Sequence, residues 1–297
     1  MTAVSFDWTA LVEYTITGFL AGGLLSLIAL GFVLIYKGTG VINFAMGEFM
    51  MLGAYSFYTA NKVWGLAMLP AMVVTIAAIG LFAAIVERGI LRPLSGQPVI
   101  SVLMATIGLA SVIHGAVDMV WGGINLEMPE LLPRTPLRFG EIFIPGKTLW
   151  SFVLASAVIT AFSIYFRYSR TGVSMRAAAS DPITASALGI DVRRTQVLTW
   201  IFAGIVGAIA GVIAASMTTL SPALSHIALG VFAVIILGGL DSIVGAIVAG
   251  LAIGVIESLT SAYLGGKVRD IVPYLIVLLI LLIRPYGLFG TRQVERL

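Results

Sequence analysis

Apolar runs broken by short polar or glycine-rich stretches fill this chain from end to end. About 20 apolar residues carry a helix across the ~30 Å hydrocarbon layer of a membrane. On that rule the pattern predicts spans at 12–36, 41–60, 64–86, 99–121, 148–166, 196–217, 228–240, 242–262 and 268–284. The fourth, sixth and eighth are the cleanest. Three others break the pattern. Segment 41–60 contains Asn43 and Glu48, 228–240 is only 13 residues long, and the last has 13 uninterrupted apolar residues, Ile271 to Ile283. Such segments read as broken helices that line a cavity, because lipid would leave their backbone groups without partners. The expectation is an all-α polytopic membrane protein of about eight to nine membrane segments, short or broken helices included. It forms one transmembrane domain over 1–297, with long loops at 122–147 and 167–195.

Composition supports this and removes other classes. Of 297 residues, 59% are apolar and 10% are charged, against roughly 25% charged in soluble domains. That charge cannot coat a water-exposed globule. The chain has no cysteine, which excludes disulfides, thiolate metal sites and a cysteine nucleophile. Two histidines leave little room for a histidine-rich metal site. A net charge of +3 is no nucleic-acid profile. The first residues, MTAVSFDWTALVEYT, lack a basic region and carry Asp7 and Glu13, so the first span is expected to stay in the mature chain rather than act as a cleaved signal.

Lysine and arginine set the orientation. With the N-terminus outside, nine crossings place eleven of the 17 basic residues inside: Lys37, Arg88, Arg92, Arg167, Arg170, Arg176, Arg193, Arg194, Arg284, Arg292 and Arg296. Lys62, Arg134, Arg138, Lys147, Lys267 and Arg269 fall outside. The bias favours N-out and C-in, provided that 228–240 crosses rather than dips and returns. Loop 122–147, with its prolines and Glu127, Glu130 and Glu141, then lies outside, and 167–195 lies inside.

Candidate chemistry is sparse. There is no G-x-x-x-x-G-K-[ST] phosphate loop and no H-E-x-x-H. Nothing in the pattern argues for an enzyme, and transport is the default for such a chain. Asn43 and Gly47 lie four apart, which on a helix puts them on one face, and Glu48 sits about 100° around. Glu48 must face protein or water. It fits a polar group beside a solute path, or a structural hydrogen bond at a helix end near the inner face, and its closeness to Lys37 favours the second. Polarity within apolar spans also picks out Thr106 and Ser111 as path candidates. His114 and Asp118 are one turn apart near the outer end of the fourth span, a spacing that suits helix anchoring or, less simply, a proton relay. Glu257 has Ser258, Thr260 and Ser261 nearby as hydrogen-bond partners, and His226 falls in an outer, solvated turn. Asp241 is placed to cap the helix after Gly238-Gly239. Gly250 and Gly254 form a G-x-x-x-G face for close helix packing. In the inner loop, Pro182 splits a helix-favouring run, and Ser180 or Asp181 can cap the second piece. Its small face, Ala177, Ala178, Ala179, Ala185 and Ala187, suits close approach by another protein or rest on headgroups.

Four stretches together resemble a known family: NFAMGEFMMLGAY (43–55), SMRAAASDPITASALGID (174–191), VFAVIILGGLDSIVGAIVAGLAIGVIE (231–257) and LLIRPYGLFG (281–290). In this order they are similar to the LivH-type permease subunits of branched-chain amino acid ABC importers. The resemblance implies a translocation subunit without its own ATPase, in a bacterial inner membrane. A second permease subunit, two cytoplasmic ATPase subunits and a periplasmic solute-binding protein would be its partners. It implies no cofactor bound by this chain, with ATP used by the partners. It places Arg176, Ala179, Asp181, Ala185, Leu188 and Gly189 at an ATPase contact, in a coupling segment at 174–191. Alternating access would move a small apolar amino acid. Urea, short amides or aromatic acids are alternatives within the class, and a stand-alone secondary carrier using His114 and Asp118 is an alternative outside it. Met46 stands where the family pattern carries a histidine. If that position touches solute, a substrate other than leucine-like amino acids follows.

Overall fold

The computed structural model describes residues 8–140, 142–269, 271–284 and 286–290. Asp7, Glu141, Arg292 and Arg296, used in the sequence argument, lie outside the described residues. The helices are α1 (Trp8–Thr39), α2 (Met46–Tyr58), α3 (Met68–Val86), α4 (Val99–Trp121), α5 (Gly146–Tyr168), α6 (Arg170–Ser180), α7 (Pro182–Ala187), α8 (Val192–Met217), α9 (Ile227–Gly238), α10 (Ile243–Tyr263), α11 (Gly266–Arg269) and α12 (Val272–Ile283). Among the described residues, six helical segments are long and apolar enough to cross a membrane: α1, α3 with its continuation to Leu94, α4, α5, α8 and α10. The long loop between α4 and α5 adds a short antiparallel ribbon, β1 (Leu137–Phe139) with β2 (Ile142–Ile144). Two faces follow. The ribbon lies on one, and the basic segment α6–α7 lies on the other.

Span α1 is the axle of the fold. Of its apolar window 83% is buried, against 17% for α4. It meets α10 through glycine. A Cβ on Gly22 would stand 2.7 Å from the Leu251 Cα, and one on Gly254 would stand 2.5 Å from the Gly22 Cα. The expected Gly250/Gly254 face thus packs backbone to backbone against α1.

Two helices are broken, in opposite senses. α1 ends at the basic face, where Gly40 (φ 72°) turns the chain. Residues 40–45 then run back inward without forming a helix, and α2 starts at Met46. Met46 packs against Gly31 of α1 and Gly207 of α8. Gly31 lies eight residues before the end of α1, about 12 Å from the basic face. Hence α2 begins deep in the bundle and runs to the ribbon face, finishing in a π turn at Thr59–Val63. At the other face α8 ends at Met217, where Leu126 pairs with Leu220. A 3-10 turn over Pro222–His226 leads into α9. α9 runs to the basic face, where the Lys37 Nζ donates to the Asp241 carbonyl at 3.2 Å. The two half-helices meet in the middle: a Cβ on Gly47 would stand 3.0 Å from the Ala228 Cβ and would overlap the Ser225 carbonyl oxygen.

Several local expectations are corrected. Segment 41–60 is not one helix, so Asn43 and Gly47 do not share a helical face. Instead the Asn43 Oδ1 accepts from the Ala45 amide at 3.0 Å in a turn that precedes α2. Segment 228–240 is helical only to Gly238, and the cap of α10 is Ser242, not Asp241, with its hydroxyl accepting from the Gly245 amide. Glu257 pairs with Arg269 at 3.0 Å, while Ser258 bonds the Tyr14 carbonyl. Asp181 caps α7 as expected, accepting from the Ile183 and Thr184 amides.

Candidate functional site

Where the half-helices meet, a cavity of about 530 Å³ opens between α2, α4 and α9. Gly47, Glu48, Ser111, His114, Ser225 and His226 supply its polar wall, and Phe32, Phe44 and Phe232 its apolar one. Glu48 lies in the first turn of α2, where the helix dipole favours a carboxylate. The His114 Nδ1 lies 3.3 and 3.4 Å from its two oxygens. His114 Nε2 lies 3.9 Å from the Asp118 carboxylate, one turn further along α4. The ring of His226 is 6.4 Å from that of His114. His114 is 15 residues into α4, about 22 Å from its basic end. Glu48 is therefore at depth, not at the inner face, and its partner is a histidine of another span. His226, exposed in the turn before α9 as expected, also lines this cavity.

Two further spaces flank the cavity. Towards the ribbon face, Asp118, Asn125, Ser221 and Pro222 border an open vestibule of about 550 Å³. Towards the basic face lies a pocket of about 250 Å³ lined by Asn43, Glu87, Arg92, Thr106, Gln196 and Trp200. Its carboxylate, Glu87, is paired with Arg92 at 3.0 Å. Phe44 stands between cavity and pocket. Its ring stacks on Phe232 at 5.2 Å, and its amide donates to the Thr106 Oγ1 at 3.4 Å. The buried Asn43 Nδ2 has no hydrogen-bond partner among the described residues.

The five path candidates thus divide. Gly47, Glu48 and Ser111 line the cavity, while Asn43 and Thr106 line the inner pocket. Met46 reaches neither. It is fully buried between α1 and α8, so the position where the family pattern has histidine does not touch solute space here. Sequence reasoning missed His226 and the Phe44–Phe232 stack. Pro222, a favoured first residue of a helical turn, was the available sign that a helical turn precedes segment 228–240 and brings His226 to the cavity.

The inner-loop residues also separate. Asp181, Leu188 and Gly189 are exposed, and Gly189 sits at φ 85°. Ala179 is half-buried. Ala185 is buried at 2% exposure against the chain's own helices. The Arg176 guanidinium turns back to donate to the Phe166 and Arg167 carbonyls. Ile183, 84% exposed, was not singled out. With Leu188 it gives α7 an apolar tip. Asp181 is held below the ordinary carboxylate range, first by the Thr184 hydroxyl and then by the Thr184 and Ile183 amides.

Spans that break at depth, with half-helix ends meeting over a polar cavity, define a membrane transport protein. The sequence matches the family model for the permease component of branched-chain amino acid transport systems over residues 14–281. It is 30% identical over 301 residues to the high-affinity branched-chain amino acid transport system permease protein LivH of Escherichia coli K12, covering 96% of this chain and 97% of that one. The corresponding permease BraD of Pseudomonas aeruginosa is 29% identical over 300 residues, with the same coverage. A solved structure of PsaBC from Streptococcus pneumoniae in complex with Fab aligns over 93% of this chain and 92% of that chain, at TM-score 0.49 and 14% identity. The chain belongs to the branched-chain amino acid ABC transporter permease family.

Proposed function

We propose that this chain is the translocation subunit of an ATP-driven importer for a small amino acid with an apolar side chain, and that the three spaces form one wall of its path. One observation carries this reading. Ser111, His114 and His226 line the cavity and, with Asp118 at the vestibule, form a polar stripe that the single chain leaves uncovered. A charged side chain at the bilayer centre costs roughly 2.5–3.5 kcal/mol even by the gentler scales. Lipid is therefore a poor neighbour for the stripe, and a second permease subunit completes the path. Loop 167–195 on the basic face is the docking segment for ATPase subunits, with α7 presenting Ile183 and Leu188. A solute-binding protein meets the ribbon face. In this reading the N-terminus is outside, the C-terminus inside and the membrane the bacterial inner membrane. The chain works as one transmembrane domain, binds no cofactor, and takes its motion from partners that use ATP. ATP binding shifts the path between two states by stabilising them unequally.

The carboxylate–histidine–carboxylate line Glu48–His114–Asp118 is what a proton-driven secondary carrier would also use, so the test must separate the two. Proteoliposomes holding this chain with its second permease, ATPases and binding protein are expected to accumulate labelled L-leucine only with ATP. The chain alone is expected to accumulate none under a proton gradient. Gradient-driven uptake by the chain alone would refute the reading.

A further inference from the structure

The charges of the cavity are one-sided, and that asymmetry says which end of a solute it holds. Among the described residues, Glu48 is its only carboxylate, and no lysine or arginine lines it. The Glu48 side chain is 12% exposed, most of it packed against protein with the remainder facing the cavity. Its partner is His114, an imidazole that carries a charge only when protonated. A carboxylate at this depth without a fixed cation either keeps its proton or takes a cation as its partner. Asp118, 3.9 Å from the far nitrogen of His114, borders both this line and the open vestibule. A cation arriving from the ribbon face meets Asp118 first and Glu48 second. The opposite wall is aromatic, with Phe44 and Phe232 stacked and Phe32 against Phe232 at 5.2 Å. Ring faces receive both apolar side chains and ammonium groups.

Resting on the reading of this cavity as the path, we propose that Glu48 is an ammonium anchor: the permease itself holds the protonated amine of its solute at mid-depth, and so selects primary ammonium compounds over neutral amides and amine-free acids. Solute selection is then shared between the binding protein and the membrane path. Of the substrate classes compatible with the sequence, this retains amino acids and removes urea, short amides and aromatic acids lacking an amine. His114 acts as a positioning residue, holding the carboxylate towards the cavity until the amine replaces it.

The test uses the complete transporter in proteoliposomes and dicyclohexylcarbodiimide, an apolar reagent that modifies membrane-embedded carboxyl groups. Modification of Glu48 is read by mass spectrometry. L-Leucine is expected to protect Glu48 several-fold. 4-Methyl-2-oxopentanoate, the same skeleton without the amine, is expected not to protect it. E48Q is expected to assemble normally, read as an unchanged elution of the complex, while uptake falls on the order of tenfold or more; E48D keeps part of the uptake. Equal protection by both probes, protection by neither, or wild-type uptake by E48Q would overturn the anchor. Should the wild-type transporter show no ATP-dependent uptake, the importer reading falls, and the protection assay still decides the role of Glu48.

Discussion

Gly211 shows how a single residue can set the distance between spans. A Cβ there would overlap the Met50 carbonyl oxygen, a backbone atom that cannot swing aside. G211V is expected to force α2 away from α8 and destabilise the protein by about 1–3 kcal/mol or more, read as a lower melting temperature of the purified complex. G108A, which would meet nothing within 4 Å, is expected to melt like the wild type. Much at this scale was legible: the paired glycines of α10 announced their contact, and the acid in an apolar run announced Glu48. The partner of Glu48 was not legible, because His114 is 66 residues away and only the packing of α2 against α4 brings them together. Met46 shows the converse. A departure from the family pattern beside a path candidate reads as a specificity change, yet side chains one residue apart on a helix point about 100° apart, and this one points into the core.

Among the elements, the hydropathy pattern placed the long spans well because each needs one uninterrupted apolar length. It failed at 41–45 for a physical reason. Val41, Ile42, Phe44 and Ala45 are as apolar as any helix, and hydropathy reports burial, not backbone shape. The turn at Gly40 and the Asn43 side chain bonding its own backbone divert the chain. The short helix α7 depends on a different local device, the Asp181 cap. Its carboxylate titrates below the usual value, so the cap is complete at neutral pH. It persists as pH falls towards about 4 and is lost as pH drops through the lowered folded-state value. Hydrogen-exchange protection over 183–188 is therefore expected to be unchanged between pH 8 and 6, and to be reduced in D181A throughout that range. Equal protection in wild type and D181A would show that docking contacts, not the cap, hold α7.

For the whole molecule, the two broken helices explain how a chain so poor in charge builds a polar path. α1 with α2 and α8 with α9 repeat one arrangement in opposite directions, and each brings a helix start to mid-depth. Lateral opening of the resulting cavity is the feature no sequence pattern could give, since it depends on which face of α4 is left uncovered. The central claim is that this uncovered stripe is water-filled path and not lipid-facing surface. The chain's lack of cysteine makes it directly testable in the assembled transporter. Single cysteines at Ser111, which lines the cavity, and at Val112, 69% exposed and lining the apolar cleft between α3 and α4, are each treated with a membrane-impermeant thiol reagent, with and without a non-hydrolysable ATP analogue. The account predicts that S111C is modified at a rate the nucleotide changes, while V112C stays inert. Modification of both at one rate, or inertness of S111C in both states, would contradict it.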